Sequence, residues 1–261
     1  MSQRYAFLKS GVWIAGFLVV ALTVVLFVNL GLWQVRRLEE RKELNATIEA
    51  RMGQEPIDLE RLVAEVGIDP EVLEYRRVIV KGTYDVEREI LLQARTLNGQ
   101  SGHNVVTPLN WKGATLAVNR GWVPIDSLGP PVPEALPPAV DVEVVGILRV
   151  SEDRGPTGAT VPDGSYAKIG RIDLVLLGPQ WGGPSLFPMY LQLQNQDPPA
   201  GEYPIPLPPP EISEGVHLSY AIQWFVFATI AVVGFGALIY TTAKRRDPTT
   251  SGRPSTPSSV P

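Results

Sequence analysis

The sequence predicts a membrane protein in which two transmembrane α-helices flank one extracytoplasmic α+β domain with a mainly antiparallel β-sheet or barrel. Three observations predict it. Two uncharged runs, Gly11 to Leu32 (22 residues) and Leu218 to Thr242 (25 residues), each reach the length of about 20 apolar residues that a helix needs to cross a bilayer. The region between them has the size of one domain. Within that region apolar residues alternate in short runs separated by turn residues, the pattern of strands and hairpins.

Composition removes several function classes. The 261 residues include 2 His and no Cys, which excludes disulfides, zinc knuckles, iron–sulfur clusters and thiolate copper sites. A net charge of -4 speaks against nucleic acid as a partner.

Residues 1–10 form a short N-terminus before the first span, 11–33. That span is read as retained. Its apolar run exceeds the roughly 7–15 residues of a signal-peptide core, and no small-x-small site follows. Trp33 then marks an interface, and Arg36 to Met52 continues as an exposed helix. Val35, Leu38, Leu44 and Ile48 share its stripe, and Gly53 and Pro56 end it.

The domain, 34–217, continues with a short helix over Asp58 to Val66. Period-two runs follow at Val78 to Tyr84, Ile90 to Ala94, Val105 to Trp111, Thr115 to Val123, Val140 to Val144 and Leu191 to Gln194. Asn98-Gly99 and Lys112-Gly113 are hairpin turns, because these residues accept positive φ. A short helix is placed near Ile172 to Leu177. Gly129 to Pro138 has five prolines in ten residues, and Pro198 to Pro210 has seven in thirteen. Both are expected to be extended, the second as a semi-rigid stalk leading to the second span, 218–242. Residues 243–261 form a Ser/Thr/Pro/Gly-rich tail expected to be disordered.

Charge gives an orientation. Residues 34–217 carry 17 Lys/Arg and 26 Asp/Glu, whereas the two ends together carry 6 Lys/Arg and one Asp. Lys244-Arg245-Arg246 directly after the second span is a positive-inside signal. Both termini are therefore expected in the cytoplasm and the domain outside it. Arg36, Arg37, Arg41 and Lys42 disagree with the rule, which long translocated segments weaken. No Arg/Ser-rich presequence precedes the first span, so a bacterial plasma membrane is expected rather than an organelle.

Enzyme motifs are missing: no H-E-x-x-H, G-x-S-x-G, P-loop or G-x-G-x-x-G. Ser101 near His103 reads as part of a polar loop. His217, Tyr220 and Trp224 share one face of the second span at its outer end. They form either an interfacial aromatic belt with an incidental His, or a site for a flat amphiphilic ligand such as a haem, whose iron an imidazole can hold. Arg36 and Arg37 lie at the same depth and suit propionates. Their other reading is a solvated face with Arg36–Glu40 and Glu39–Lys42 pairs. Asn29 and Gln223 are expected to face a neighbouring helix, in this chain or in a larger membrane complex.

Four segments carry a family resemblance: Leu30-Gly31-Leu32-Trp33-Gln34-Val35-Arg36-Arg37; Tyr75-Arg76-Arg77-Val78 with Gly82-Thr83-Tyr84; Gly102 to Leu109 with Val118-Asn119-Arg120-Gly121-Trp122-Val123-Pro124; and His217-Leu218-Ser219-Tyr220-Ala221-Ile222-Gln223-Trp224-Phe225. In this order, over residues 11 to 242, the chain resembles the surfeit-locus family of cytochrome c oxidase assembly factors. The family often has Tyr where this chain has His103, and Asn or a charged residue where it has Gly215-Val216. The resemblance implies a non-enzymatic role: holding haem a for insertion into subunit I of the oxidase. It also implies oxidase subunits and haem a synthase as partners, beside membrane lipids, and His217 as the haem ligand. Asn119 to Trp122 has two readings. Gly121 permits a bulge and Trp122 caps the sheet, or Arg120 faces the membrane and meets a propionate or the oxidase. A stable accessory subunit of a respiratory supercomplex is the competing function.

Overall fold

A computed structural model describes residues 3–152 and 166–246. The chain divides into two compact units, residues 1–45 with 213–261 and residues 46–212. The segment 153–165 and the tail from 247 onward lie outside the described residues, so the expected disorder of the tail is not addressed.

The first unit is a helix pair. Helix α1 runs from Gly11 to Met52, its last turns belonging to the second unit. The other partner, numbered α5 in chain order, spans His217–Arg245. Both helices are long and apolar enough to cross a membrane. Their backbone groups are satisfied within each helix, and Thr23, Asn29 and Thr229 bond carbonyls four residues back. That internal pairing is what a lipid environment requires. Aromatic rings join the two along their length: Trp13 and Phe17 meet Phe235, and Phe27 meets Trp224 at 5.5 Å and Phe227 at 5.9 Å. Gly31 permits the closest approach, since a Cβ there would lie 2.8 Å from the Phe225 ring. Ala221 and Ala228 complete the small-residue face on α5.

Of the two readings for Asn29 and Gln223, packing between these two spans is not seen: both are exposed, and Asn29 bonds its own helix at Val25 O. The helix that contains the second span extends from His217 to Arg245.

The second unit is sheet-rich. Its elements are β1 (Ile57–Asp58), α2 (Leu59–Val66), α3 (Pro70–Leu73), β2 (Arg77–Tyr84), β3 (Ile90–Leu97), β4 (Gln100–Trp111), β5 (Ala114–Pro124), β6 (Val142–Val150), β7 (Lys168–Ile169), α4 (Leu174–Trp181) and β8 (Leu186–Asp197). The Asp58 and Asp173 side chains accept from the backbone N–H groups of Arg61 and Leu176, fixing the starts of α2 and α4. Strand order is β1-β2-β6-β8-β5-β4-β3-β7, and β2 also pairs with β4, so the pairings return to β2. Antiparallel pairing predominates, as expected, but β1–β2, β3–β7 and β5–β8 are parallel. Both predicted hairpins are present, with Asn98, Gly99, Lys112 and Gly113 all at positive φ.

Two apolar clusters account for most of the core. One packs Leu59, Leu62 and Leu73 onto β2, β6 and β8, and the other packs Leu177 and Trp181 onto β3, β4 and β5. The middle residues of β4 and β5 are buried on both faces, so the alternation expected there does not mark one solvent side. β4 begins at Gln100, five residues before the predicted strand, so His103 lies in a strand rather than a polar loop. Conversely β6 starts only at Val142. Val140 stays exposed outside the ladder, while the Asp141 carboxylate accepts from Thr83 Oγ1.

The proline-rich stretch 198–210 is not a free stalk. Ile205 exchanges both backbone hydrogen bonds with Trp122, at 2.8 and 2.9 Å. Gln196 and Gln192 donate to the carbonyls of Pro198 and Pro208. Orphaned strand-edge groups thus hold the segment down as a strap. Residues 129–138 are tied in likewise, with Val132 buried and its N–H bonded to Glu89.

Candidate functional site

The first site lies within the helix pair. His217 is the first residue of α5 and is half-buried. Its Nδ1 lies 2.9 Å from Oε1 of Gln34 on α1. A carboxamide oxygen only accepts, so Nδ1 donates in this contact, and in the neutral ring that leaves the lone pair on Nε2. Gly215, at φ +68°, stands beside that nitrogen: a Cβ there would lie 3.6 Å from Nε2 and 3.4 Å from Cδ2. Both distances are ordinary van der Waals contacts, so Gly215 lies directly against this edge of the imidazole, and it is the positive φ that favours glycine here.

The predicted trio lies at i, i+3 and i+7 of the continuous helix α5. Trp224 meets Phe27 of α1 and stacks with Phe227. Tyr220 is 47% exposed. Arg36 is exposed and has no partner among the described residues. The ion pairs differ from those expected. Arg37, not Arg36, meets Glu40 at 2.7 Å, one turn along the helix. Lys42 reaches Glu214 at 3.8 Å rather than Glu39. Gln34 stood in the sequence only as part of the Leu30–Arg37 segment, with no role of its own, and the helix pair sets it against His217. The signal available was a lone carboxamide at the end of an uncharged run, one helical turn after Gly31.

The second site lies inside the sheet unit. Val105 pairs with Gly121 and Val106 with Asn119, so Arg120 is the unpaired residue of a β-bulge. The bulge turns its side chain inward, to 0% exposure. Its guanidinium stacks 5.0 Å from the centre of the Tyr84 ring, and Nη1 lies 3.5 Å from Glu89 Oε2. Glu89 also accepts from Thr107 Oγ1 at 2.8 Å and from the Val132 N–H at 2.9 Å. Burial pushes the Glu89 carboxyl above its ordinary range, against the downward pull of the Val132 N–H, Thr107 and Arg120. Burial likewise lowers Arg120 and raises the Tyr84 phenol. Of the two readings for this strand end, the structure has the bulge and the buried Trp122. Arg120 is enclosed, beneath a cleft of about 250 Å³ bordered by Gln194, Glu202 and Pro206.

His103 is buried in β4 with Nδ1 unpartnered among the described residues, and burial lowers its pKa. No group of three or more His, Asp or Glu able to hold a metal ion occurs among the described residues.

Comparison with known proteins gives a consistent result. The family model described as the SURF1 family matches residues 21–229. An uncharacterised SURF1-like protein of Mycobacterium tuberculosis is 30% identical over 268 residues, covering 98% of this chain and 95% of that protein. Surfeit locus protein 1 of Mus musculus is 34% identical over 144 residues, 49% of this chain and 46% of that protein. Its Xenopus tropicalis counterpart is 35% identical over 145 residues, again 49% and 46%.

Proposed function

The chain belongs to the SURF1 family, and from that premise we propose that it is a non-enzymatic, membrane-embedded assembly factor for haem-copper cytochrome c oxidase. It holds haem a as cargo and passes it to subunit I, receiving it from the haem a synthase step. The protein sits in a bacterial plasma membrane with both termini in the cytoplasm and the sheet unit outside.

The observation that carries this reading is the imidazole at the start of α5, with Nδ1 engaged by Gln34 and Gly215 lying against the Nε2 edge. A neutral imidazole fixed in this tautomer is a ready axial ligand for haem iron. Tyr220 offers an exposed ring near the headgroup level, where a flat amphiphile would lie. Arg36 is the cation available to a propionate, whereas Arg120 is committed to the sheet's interior. Trp224 stiffens the helix pair behind the site. A single imidazole suits transient holding, because release requires only one bond to iron to break.

The test is the full chain purified from cells that make haem a. The native protein carries an a-type absorption, and His217→Ala loses it while the sheet unit's circular dichroism is unchanged. Undiminished a-type absorption in His217→Ala would remove the ligand assignment.

A further inference from the structure

We propose that Gln34 is the positioning residue for His217, fixing both the tautomer and the basicity of the nitrogen offered to iron. The proposal rests on the haem reading, since only a bound metal gives Nε2 something to do.

The argument begins with helix packing. Gly31 lets the Phe225 ring fill the place a Cβ would take, 2.8 Å away, so α1 and α5 run close together at this level. Gln34 follows Gly31 by three residues and His217 precedes Phe225 by eight. Both therefore project from the same seam, one and two turns nearer the helix ends. The separation there is spanned by one carboxamide–imidazole hydrogen bond of 2.9 Å. Gln34 Oε1 has no other partner among the described residues.

That single bond has three consequences. It makes Nδ1 the donor, so in the neutral imidazole the single proton sits on Nδ1 and Nε2 carries the lone pair. It holds the ring plane against rotation at a helix start where Val216 provides no side-chain cap. It also pulls electron density toward Nε2, as acceptors on the far nitrogen of metal-bound histidines do. A carboxylate in place of the carboxamide strengthens the last effect, and a methyl group abolishes it.

The experiment uses the full chain in detergent loaded with haem a, comparing wild type with Gln34→Ala, Gln34→Glu and His217→Ala. Two quantities are read: haem a affinity and the iron–imidazole stretching frequency of the ferrous protein by resonance Raman. Gln34→Ala should bind haem a about tenfold more weakly, the usual loss when a partner behind a metal ligand is removed. Its stretching frequency should fall. Gln34→Glu should restore affinity and raise the frequency above wild type. A merely structural glutamine would lower affinity in both variants and leave the frequency where it was. Equal frequencies in all three chains, with haem lost in His217→Ala, would overturn the positioning role and leave the ligand reading standing. An unchanged spectrum in His217→Ala would overturn both.

Discussion

Arg120 and Glu89 show how far a single residue's environment can depart from its type. An arginine within a strand ordinarily reads as a solvent-facing position. Here a one-residue bulge at Gly121 turns it inside, where Glu89, 31 residues earlier, meets it. The bulge and the capping Trp122 were legible in Asn119-Arg120-Gly121-Trp122. The ion pair was not, because no local pattern links β5 to the residue that precedes β3. Removing one partner of a buried pair typically costs about 3–5 kcal/mol, since it strands the other charge. Glu89→Ala should therefore lower unfolding free energy by about 3 kcal/mol or more, measured by denaturant titration of the full chain. A loss below about 1 kcal/mol, the range of surface pairs, would contradict the burial. The pH dependence has a definite sign. Burial raises the Glu89 carboxyl above 4.5, so the folded chain keeps this proton to higher pH than the unfolded chain. Stability from this group is complete below 4.5 and is lost as pH rises through the raised value. Subtracting the Glu89→Ala profile from wild type should leave a difference that falls across that window.

At the scale of elements, turns and helices were the most legible parts. Asn98-Gly99 and Lys112-Gly113 specify two-residue hairpins by their own chemistry, and uncharged length alone marks α1 and α5. The first five residues of β4, Gln100 to Asn104, are polar or Gly and carry no apolar alternation, which hid them and with them His103. The two-residue strands β1 and β7 are too short to carry any period. The proline strap was misread for another reason: a polyproline run describes its own backbone and says nothing of what it lies against. Gly121 provides its test. Its φ is +133°, and an added Cβ would lie 2.2 Å from the Ile205 carbonyl oxygen. Gly121→Ala should force the strap off the Trp122 edge and destabilise the chain by about 1–3 kcal/mol. New proteolytic cuts should appear within residues 198–210. An uncut strap with wild-type stability would show that the Ile205–Trp122 pairing does not anchor it.

At the scale of the whole molecule, charge asymmetry and two uncharged runs set the expected arrangement, while the chain divides into 1–45 with 213–261 and 46–212. The site divides the same way. His217 was legible as a histidine at the start of an apolar run, whereas its partner lies 183 residues away on the other helix. Only the helix packing at Gly31 brings them together. The absence of cysteine makes the orientation directly measurable. In intact cells a membrane-impermeant maleimide should label Gln100→Cys, which sits at an exposed strand start, and should not label Ser255→Cys in the tail. The reverse pattern would invert the topology and put the haem site on the wrong side of the membrane for the proposed role.

The central claim is an assembly function, and its most direct test is a reduced-minus-oxidised visible spectrum of membranes from a strain lacking this protein, with oxidase subunit I quantified in the same sample. The account predicts a selective fall in the a-type haem signal per subunit I, with b- and c-type signals retained and the a-type signal restored by the wild-type chain but not by His217→Ala. An unchanged a-type signal would contradict it: the oxidase would then mature without this protein, and a permanent place in a respiratory supercomplex would be the better account.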